Sequence, residues 1–218
     1  VLDANGDNNG TVYGATLTTD RFGNLDSAYY FDGNDYIDLE DSVINKRPYS
    51  VSTWVQSKDI EKGNHYYIFA NGGETGGSYG FYCKIDENGY LEFGTNDGTG
   101  NVRRSKVNVP ITEWTFLTMT LSENQELKIY VNGDFVDLGG DFVFGYGEAN
   151  NLIIGGNSVS NTYRFKGAID DIQIYDQALT EEQIKTLYEY TPNNYIVDKY
   201  EDVEVEFKVW GPYFEDYS

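Results

Sequence analysis

The chain has 218 residues, with 15 basic against 36 acidic side chains and a formal net charge of -21. Such a field repels phosphate backbones and anionic membranes, which excludes nucleic acid as an expected partner. No apolar run approaches the roughly 18 residues of a membrane span, so no membrane insertion is expected, and the length suits one all-β domain with a sizeable core.

Taken in order, the chain opens on Val1, without a leader-like segment, and reads as a mature product or a fragment. Asp3, Asn5 and Asp7 then place oxygen donors at alternate positions of a loop that Gly6 and Gly10 let curl. Hard oxygen ligands in a flexible loop suit calcium, although the twelve-residue EF-hand pattern is absent. Short alternating runs follow, expected as strands at Thr11–Leu17, Ala28–Phe31, Tyr36–Leu39, Tyr49–Gln56, His65–Ala70, Gly80–Ile85 and Leu91–Thr95. Further strands are expected at Arg103–Val107, Thr115–Ser122, Leu127–Val131, Leu152–Ile154 and Ala168–Tyr175. Asn132-Gly133 between two such runs predicts a two-residue hairpin, because a type I′ turn needs positive φ at both central positions. Twenty tyrosines and 24 glycines with four prolines fit strands joined by glycine turns. The single cysteine, Cys83, alternates with Phe81 and Ile85 and is read as a buried spacer, not a nucleophile.

The sandwich is expected to close at Phe165–Leu187. A strand ending Ile172-Gln173-Ile174-Tyr175 leads to Thr180, which with Gln183 forms a capping box, while Leu179 and Ile184 have staple spacing. Ile184, Leu187 and Tyr188 give one apolar stripe of a short helix. A boundary follows near residue 191, dividing the chain into a domain at 1–190 and a tail at 191–218. Within the tail, 203–209 alternates like a strand. It is expected either to open a following module or to pair with an exposed edge, in its own molecule or by strand exchange with a neighbour.

Several pieces in this order carry a family resemblance: Asp3–Val12, Ala28–Ile37 with Phe31-Asp32-Gly33, Tyr49–Val55 with its central Trp54, Trp114–Leu117, Leu127–Gly133, and Phe165–Tyr188. Together they resemble the laminin-G-like domains of the concanavalin A-like lectin/glucanase superfamily. That resemblance implies an all-β fold, a two-sheet antiparallel jelly-roll β-sandwich with one short C-terminal helix. It also implies that Asp170 ligates a structural calcium with help from the Asp32-Gly33 turn. By simple alternation Asp170 faces inward with Ile172 and Ile174, where a carboxylate must be paired, hydrogen-bonded or metal-bound, and Asp171 faces solvent. The alternative for Asp170 is a set of backbone N–H donors, with Asp3, Asn5 and Asp7 only shaping a turn.

Function is read by elimination and by chemistry. The paired carboxylates of glucanases of this fold have no counterpart, and His65 has no titratable partner in sequence, so no enzyme is expected. Saccharides need aromatic faces flanked by polar side chains. The candidates are Tyr66, Tyr79 and Tyr82 with Asn71 and Glu74. The expected role is a noncatalytic extracellular or cell-surface recognition module, bacterial in origin, that binds a glycan. The alternative partner is another surface protein, with the domain serving as an interaction or spacer unit of an adhesin.

Overall fold

A computed structural model describes residues 9–39, 48–72, 79–97, 102–141, 151–157, 162–191 and 208–210. Two antiparallel sheets face each other as a jelly-roll sandwich. The first runs β1 (Thr11–Tyr13), β4 (Tyr36–Asp38), β13 (Leu152–Ile154), β6 (Tyr66–Asn71), β7 (Tyr79–Ile85), β8 (Leu91–Asp97) and β9 (Val102–Val107). The second runs β12 (Asp134–Asp141), β11 (Glu126–Val131), β10 (Thr115–Leu121), β5 (Tyr49–Gln56), β14 (Lys166–Tyr175), β3 (Ala28–Asp32) and β2 (Thr16–Thr18). The predicted Thr11–Leu17 strand is thus two strands in different sheets. Gly14 makes the crossing at φ 87°, where a Cβ would lie 2.0 Å from Asp35 Oδ1, so only glycine fits there.

Alternation supplies the core. Val51 and Val55, Leu117 and Met119, and Ile172 and Ile174 point from one sheet toward Ile68, Phe81, Cys83 and Phe93 of the other. Cys83 is fully buried, and burial followed by the charge of Glu92 pushes its thiol well above its ordinary range. The Asn132-Gly133 hairpin forms as expected, with φ of 52° and 80°.

A second apolar layer covers the outside of the second sheet. Trp54, Phe116, Tyr130 and Tyr175 pack beneath helix α1 (Glu181–Glu189), which buries Ile184. Thr180 Oγ1 accepts from Gln183 N at 3.2 Å while Thr180 N donates to Gln183 Oε1 at 2.9 Å, the predicted capping box. In the tail, β15 (Lys208–Trp210) pairs with Ile172–Ile174 of β14 in the same chain. It extends the edge beyond the point where β3 stops pairing at Ile169. Of the expected 203–209 strand, 208 and 209 belong to β15, while residues 203–207 lie outside the described part.

Candidate functional site

The outer face of the first sheet carries the chemistry. Register places Tyr82, Gly94 and Arg104 in one row, and Lys84, Glu92 and Lys106 in the next. Because strand side chains alternate, these residues share the face opposite the core residues Phe81, Cys83 and Phe93. Glu92, 3% exposed, sits at the centre. Its Oε1 lies 3.2 Å from Lys84 Nζ and 3.2 Å from Arg104 Nε, and its Oε2 lies 3.0 Å from Lys106 Nζ. Tyr82 donates its hydroxyl to Glu92 at 2.9 Å and accepts from Arg104 Nε at 3.1 Å. Gly94 is required beneath that ring: a Cβ there would stand 2.2 Å from Tyr82 Cζ.

Lys106 also reaches Asp86 at 2.6 Å. Burial acts to raise the Asp86 pKa, but the hydrogen bond from Lys106 and those from the N–H groups of Tyr90 and Asn88 outweigh it and hold the carboxyl below its usual range. The Asp86 contact, offset in part by desolvation and reinforced by Glu92, raises the ammonium of Lys106. The centre of this cluster is buried and its rim is open: the side chains of Arg104 and Lys106 are 41% and 44% exposed.

At the other end of the same face, Tyr13 and Tyr36 lie across the β1–β4 pairing with ring centroids 4.5 Å apart and planes at 12°. Tyr13 is 43% exposed, and the buried guanidinium of Arg164 sits 4.1 Å from the Tyr36 ring centroid. Two residues along β4, on the same face, half-buried Asp38 accepts from Asn151 Nδ2 at 3.0 Å. An aromatic plate beside a carboxylate–amide pair can take the apolar face of a sugar ring and hydrogen-bond its hydroxyls.

The predicted saccharide residues are placed differently. Tyr66 and Tyr82 are buried, so neither offers an exposed stacking face, and Asn71 is buried too. Tyr66 points into the sandwich core with Ile68. Tyr82 lies on the outer face, but its ring is used over Gly94 and its hydroxyl within the Glu92 cluster. Tyr79 belongs to β7, with its side chain outside the described part, as is Glu74.

Of the predicted metal set only Asp32 and Asp170 lie among the described residues, and these two do not come together. A bulge between Asp170 and Gln173, with Asp171 at φ 45°, reverses the alternation. Asp170 therefore stands opposite Trp54 on the outer face of the second sheet, not with Ile172 and Ile174. Its cation is organic: Arg21 Nη1 lies 3.1 Å from Asp170 Oδ2 and 2.6 Å from Asp171 Oδ2, with the guanidinium 4.6 Å from the Trp54 ring. Burial first, then Asp171, push the Asp170 carboxyl up to about 7, against the opposing charge of Arg21. Exposed Asp32 pairs with Lys166, four positions along β14 from Asp170, about 13 Å at strand spacing. The described residues contain no group of three or more His, Cys, Asp or Glu set to hold an ion. Asp3, Asn5 and Asp7 lie outside them.

Arg21, Tyr13, Tyr36, Arg164, Glu92, Arg104 and Lys106 were not predicted as site residues. The i, i+2 spacing of Tyr82/Lys84 and Arg104/Lys106 was a usable signal, since neighbouring strands bring such pairs into rows. Arg21 lies in a turn, and no local pattern announces its partner 149 residues away.

The chain is similar to several known proteins. It is 26% identical over 97% of its length to botulinum neurotoxin type E from Clostridium botulinum, and spans 17% of that protein. It is 32% identical over 47% of its length to human adhesion G-protein coupled receptor D1, of which it spans 12%. Among solved structures, domain 4 of the extracellular arabinanase AbnA from Geobacillus stearothermophilus, in complex with arabinotriose, matches with a TM-score of 0.62. Its identity is 22%, covering 85% of this chain and 91% of that one. The sialidase carbohydrate-binding module of Ruminococcus gnavus, bound to α2,3-sialyllactose, matches with a TM-score of 0.62 and 15% identity, over 74% of this chain and 96% of that one. The receptor-binding domain of botulinum neurotoxin mosaic serotype C/D gives a TM-score of 0.65 at 19% identity, covering 84% and 46%. These structural likenesses extend the fold. A family model described as the concanavalin A-like lectin/glucanases superfamily matches residues 31–185. On that span, with the two-sheet topology and the helix closing its second face, the chain belongs to the concanavalin A-like lectin/glucanase superfamily.

Proposed function

We propose that this domain is a noncatalytic glycan-binding module of an extracellular bacterial protein, and that it binds through the outer face of its first sheet. The carrying observation is the exposed Tyr13 ring held flat against Tyr36, next to the Asp38–Asn151 pair. A rigid aromatic plate loses little conformational entropy on binding, and the adjacent polar pair supplies orientation. Two proteins of similar fold were solved with oligosaccharides, which supports the reading without naming this ligand. The noncatalytic part rests on the carboxylates. Glycoside hydrolysis needs a pair of carboxyls flanking the scissile bond, whereas on this face Glu92 and Asp86 are each held by cations, and Asp170, the carboxyl pushed up to about 7, lies on the other sheet, nearly buried against Arg21. Any calcium bound by the alternate oxygens of Asp3, Asn5 and Asp7 is structural in this reading.

A glycan array should return one or more ligands, and Tyr13→Ala should weaken them at least tenfold, about 1.4 kcal/mol. Tyr66→Phe should leave binding unchanged, because Tyr66 is in the core. An empty array, or ligands indifferent to Tyr13→Ala, would defeat the proposal and favour a protein partner, such as the receptor-binding neighbours suggest.

A further inference from the structure

We propose that the glycan site continues past Tyr36 to a second station at Tyr163, His65 and Glu87, so that the preferred ligand is an extended oligosaccharide chain lying across the strands. This rests on the glycan-binding reading and adds the class of sugar. The arrangement at Tyr13 recurs here. At Tyr13 an exposed ring, held by a second ring, stands near a carboxylate that accepts from Asn151. Tyr163 is 39% exposed, and its ring is held by His65 and Tyr67, with centroids 5.3 Å and 6.3 Å away. His65 Nε2 in turn lies 3.3 Å from the carboxylate of Glu87, whose side chain is 48% exposed.

Topology puts both stations on one face. Tyr67 packs with Ala70 and Tyr82 on the outer side of the first sheet, while Tyr66 and Ile68 fill the core. Arg164 pairs with Tyr67 in a parallel bridge, and its guanidinium rests on the Tyr36 ring. Phe165, the next residue, enters the core, as alternation requires. The segment 163–165 therefore reaches from Tyr67 on β6 to Tyr36 on β4. Its backbone is fixed by Tyr67 N donating to Tyr163 O at 3.1 Å and by Phe165 N donating to Gly155 O at 2.9 Å. Gly156 leaves the room that Arg164 needs, since a Cβ there would stand 1.9 Å from Nη1.

Tyr13 on β1 and Tyr67 on β6 are three strand spacings apart, about 14 Å. No single sugar ring touches both Tyr13 and the ring beside Tyr67, whereas a chain crossing β4 does. Once one sugar is stacked, the next contact is intramolecular, so a second station raises affinity without a second cost of association. Both rings are held in place before binding, which keeps the ordering cost low. Affinity should therefore grow with chain length.

The test is calorimetric titration of the whole chain with cello-, xylo- and manno-oligosaccharides of two to six sugars, and with the size series of any linear glycan found on the array. In at least one series the hexasaccharide should bind at least tenfold tighter than the disaccharide. Tyr163→Leu, which keeps bulk but removes the aromatic face, should cut that ratio to threefold or less. Tyr163→Phe, which keeps the ring, should restore it. Glu87→Gln, at an exposed position, should lower the ratio as well and keeps the test open should Tyr163→Leu fold poorly. Tyr13→Ala should weaken the disaccharide and the hexasaccharide alike. Affinity that does not grow with length, array ligands confined to terminal or branched epitopes, or a ratio that survives both Tyr163→Leu and Glu87→Gln overturns the second station and leaves the glycan reading standing. No binding in any series, together with an empty array, overturns both.

Discussion

Glu92→Ala is expected to destabilise the domain by about 3–5 kcal/mol, the usual cost of stripping one partner from a buried ion pair. The buried ammonium of Lys84 loses its 3.2 Å partner, and the Tyr82 hydroxyl loses the oxygen to which it donates. Lys84 and Arg104 then both face the vacated position, while Lys106 keeps Asp86. Thermal and urea unfolding would report it, the former as a drop of roughly 10 °C for a chain of this length. The double variant Glu92→Ala with Lys84→Met should recover much of the loss, since it leaves no uncompensated charge at the centre. A melting temperature within a degree or two of the wild type would show that water reaches this cluster freely, contrary to its burial.

Arg21→Met is expected to be nearly as damaging at pH 7.5, by about 3 kcal/mol, and less damaging at pH 5. The guanidinium is the cation facing both Asp170 and Asp171, and only 5% of the Asp170 side chain is exposed. Without it the two carboxylates repel each other in a desolvated place. The sign of the pH effect follows from the direction of the Asp170 shift. Its folded pKa, about 7, lies above the ordinary aspartate value of 3.8. The folded protein therefore holds the extra proton across that window, and this group's contribution to stability is full below it and is lost as pH rises through about 7. Removing Arg21 raises the folded pKa further and steepens that loss. Denaturation curves of both proteins at pH 5 and 7.5 check it. A variant equally destabilised at both values would contradict the assignment of Arg21 as the counter-charge.

Much of the fold was legible because alternation is a strong local signal. Runs such as Val51–Val55 and Leu117–Leu121 have one face packed in the core, and a one-residue slip would expose it. The Asn132-Gly133 turn and the Thr180–Gln183 box were readable for the same reason, being complete within a few residues. The site was less legible, and the reasons differ from residue to residue. Alternation alone puts Asp170 with Ile172; the bulge at Asp171 breaks that rule, and a single inserted residue leaves no mark in the pattern. Tyrosine runs such as Tyr66-Tyr67 do not say which ring faces the core. In the structure Tyr66 does, Tyr67 packs on Tyr82, and the exposed plate is formed by Tyr13 and Tyr36 from runs read only as strands. The cation cluster depends on the pairing of β7, β8 and β9, so its rows exist only once register is known.

The central claim is that the outer face of the first sheet is where a glycan lies. Nuclear magnetic resonance titration of the labelled chain with an array-derived oligosaccharide tests it most directly. The expected result is amide shifts concentrated at Tyr13, Tyr36, Asp38, Asn151 and Arg164. Shifts confined to the helix-covered face around Trp54 and Leu187, with the Tyr13–Tyr36 plate silent, would contradict it.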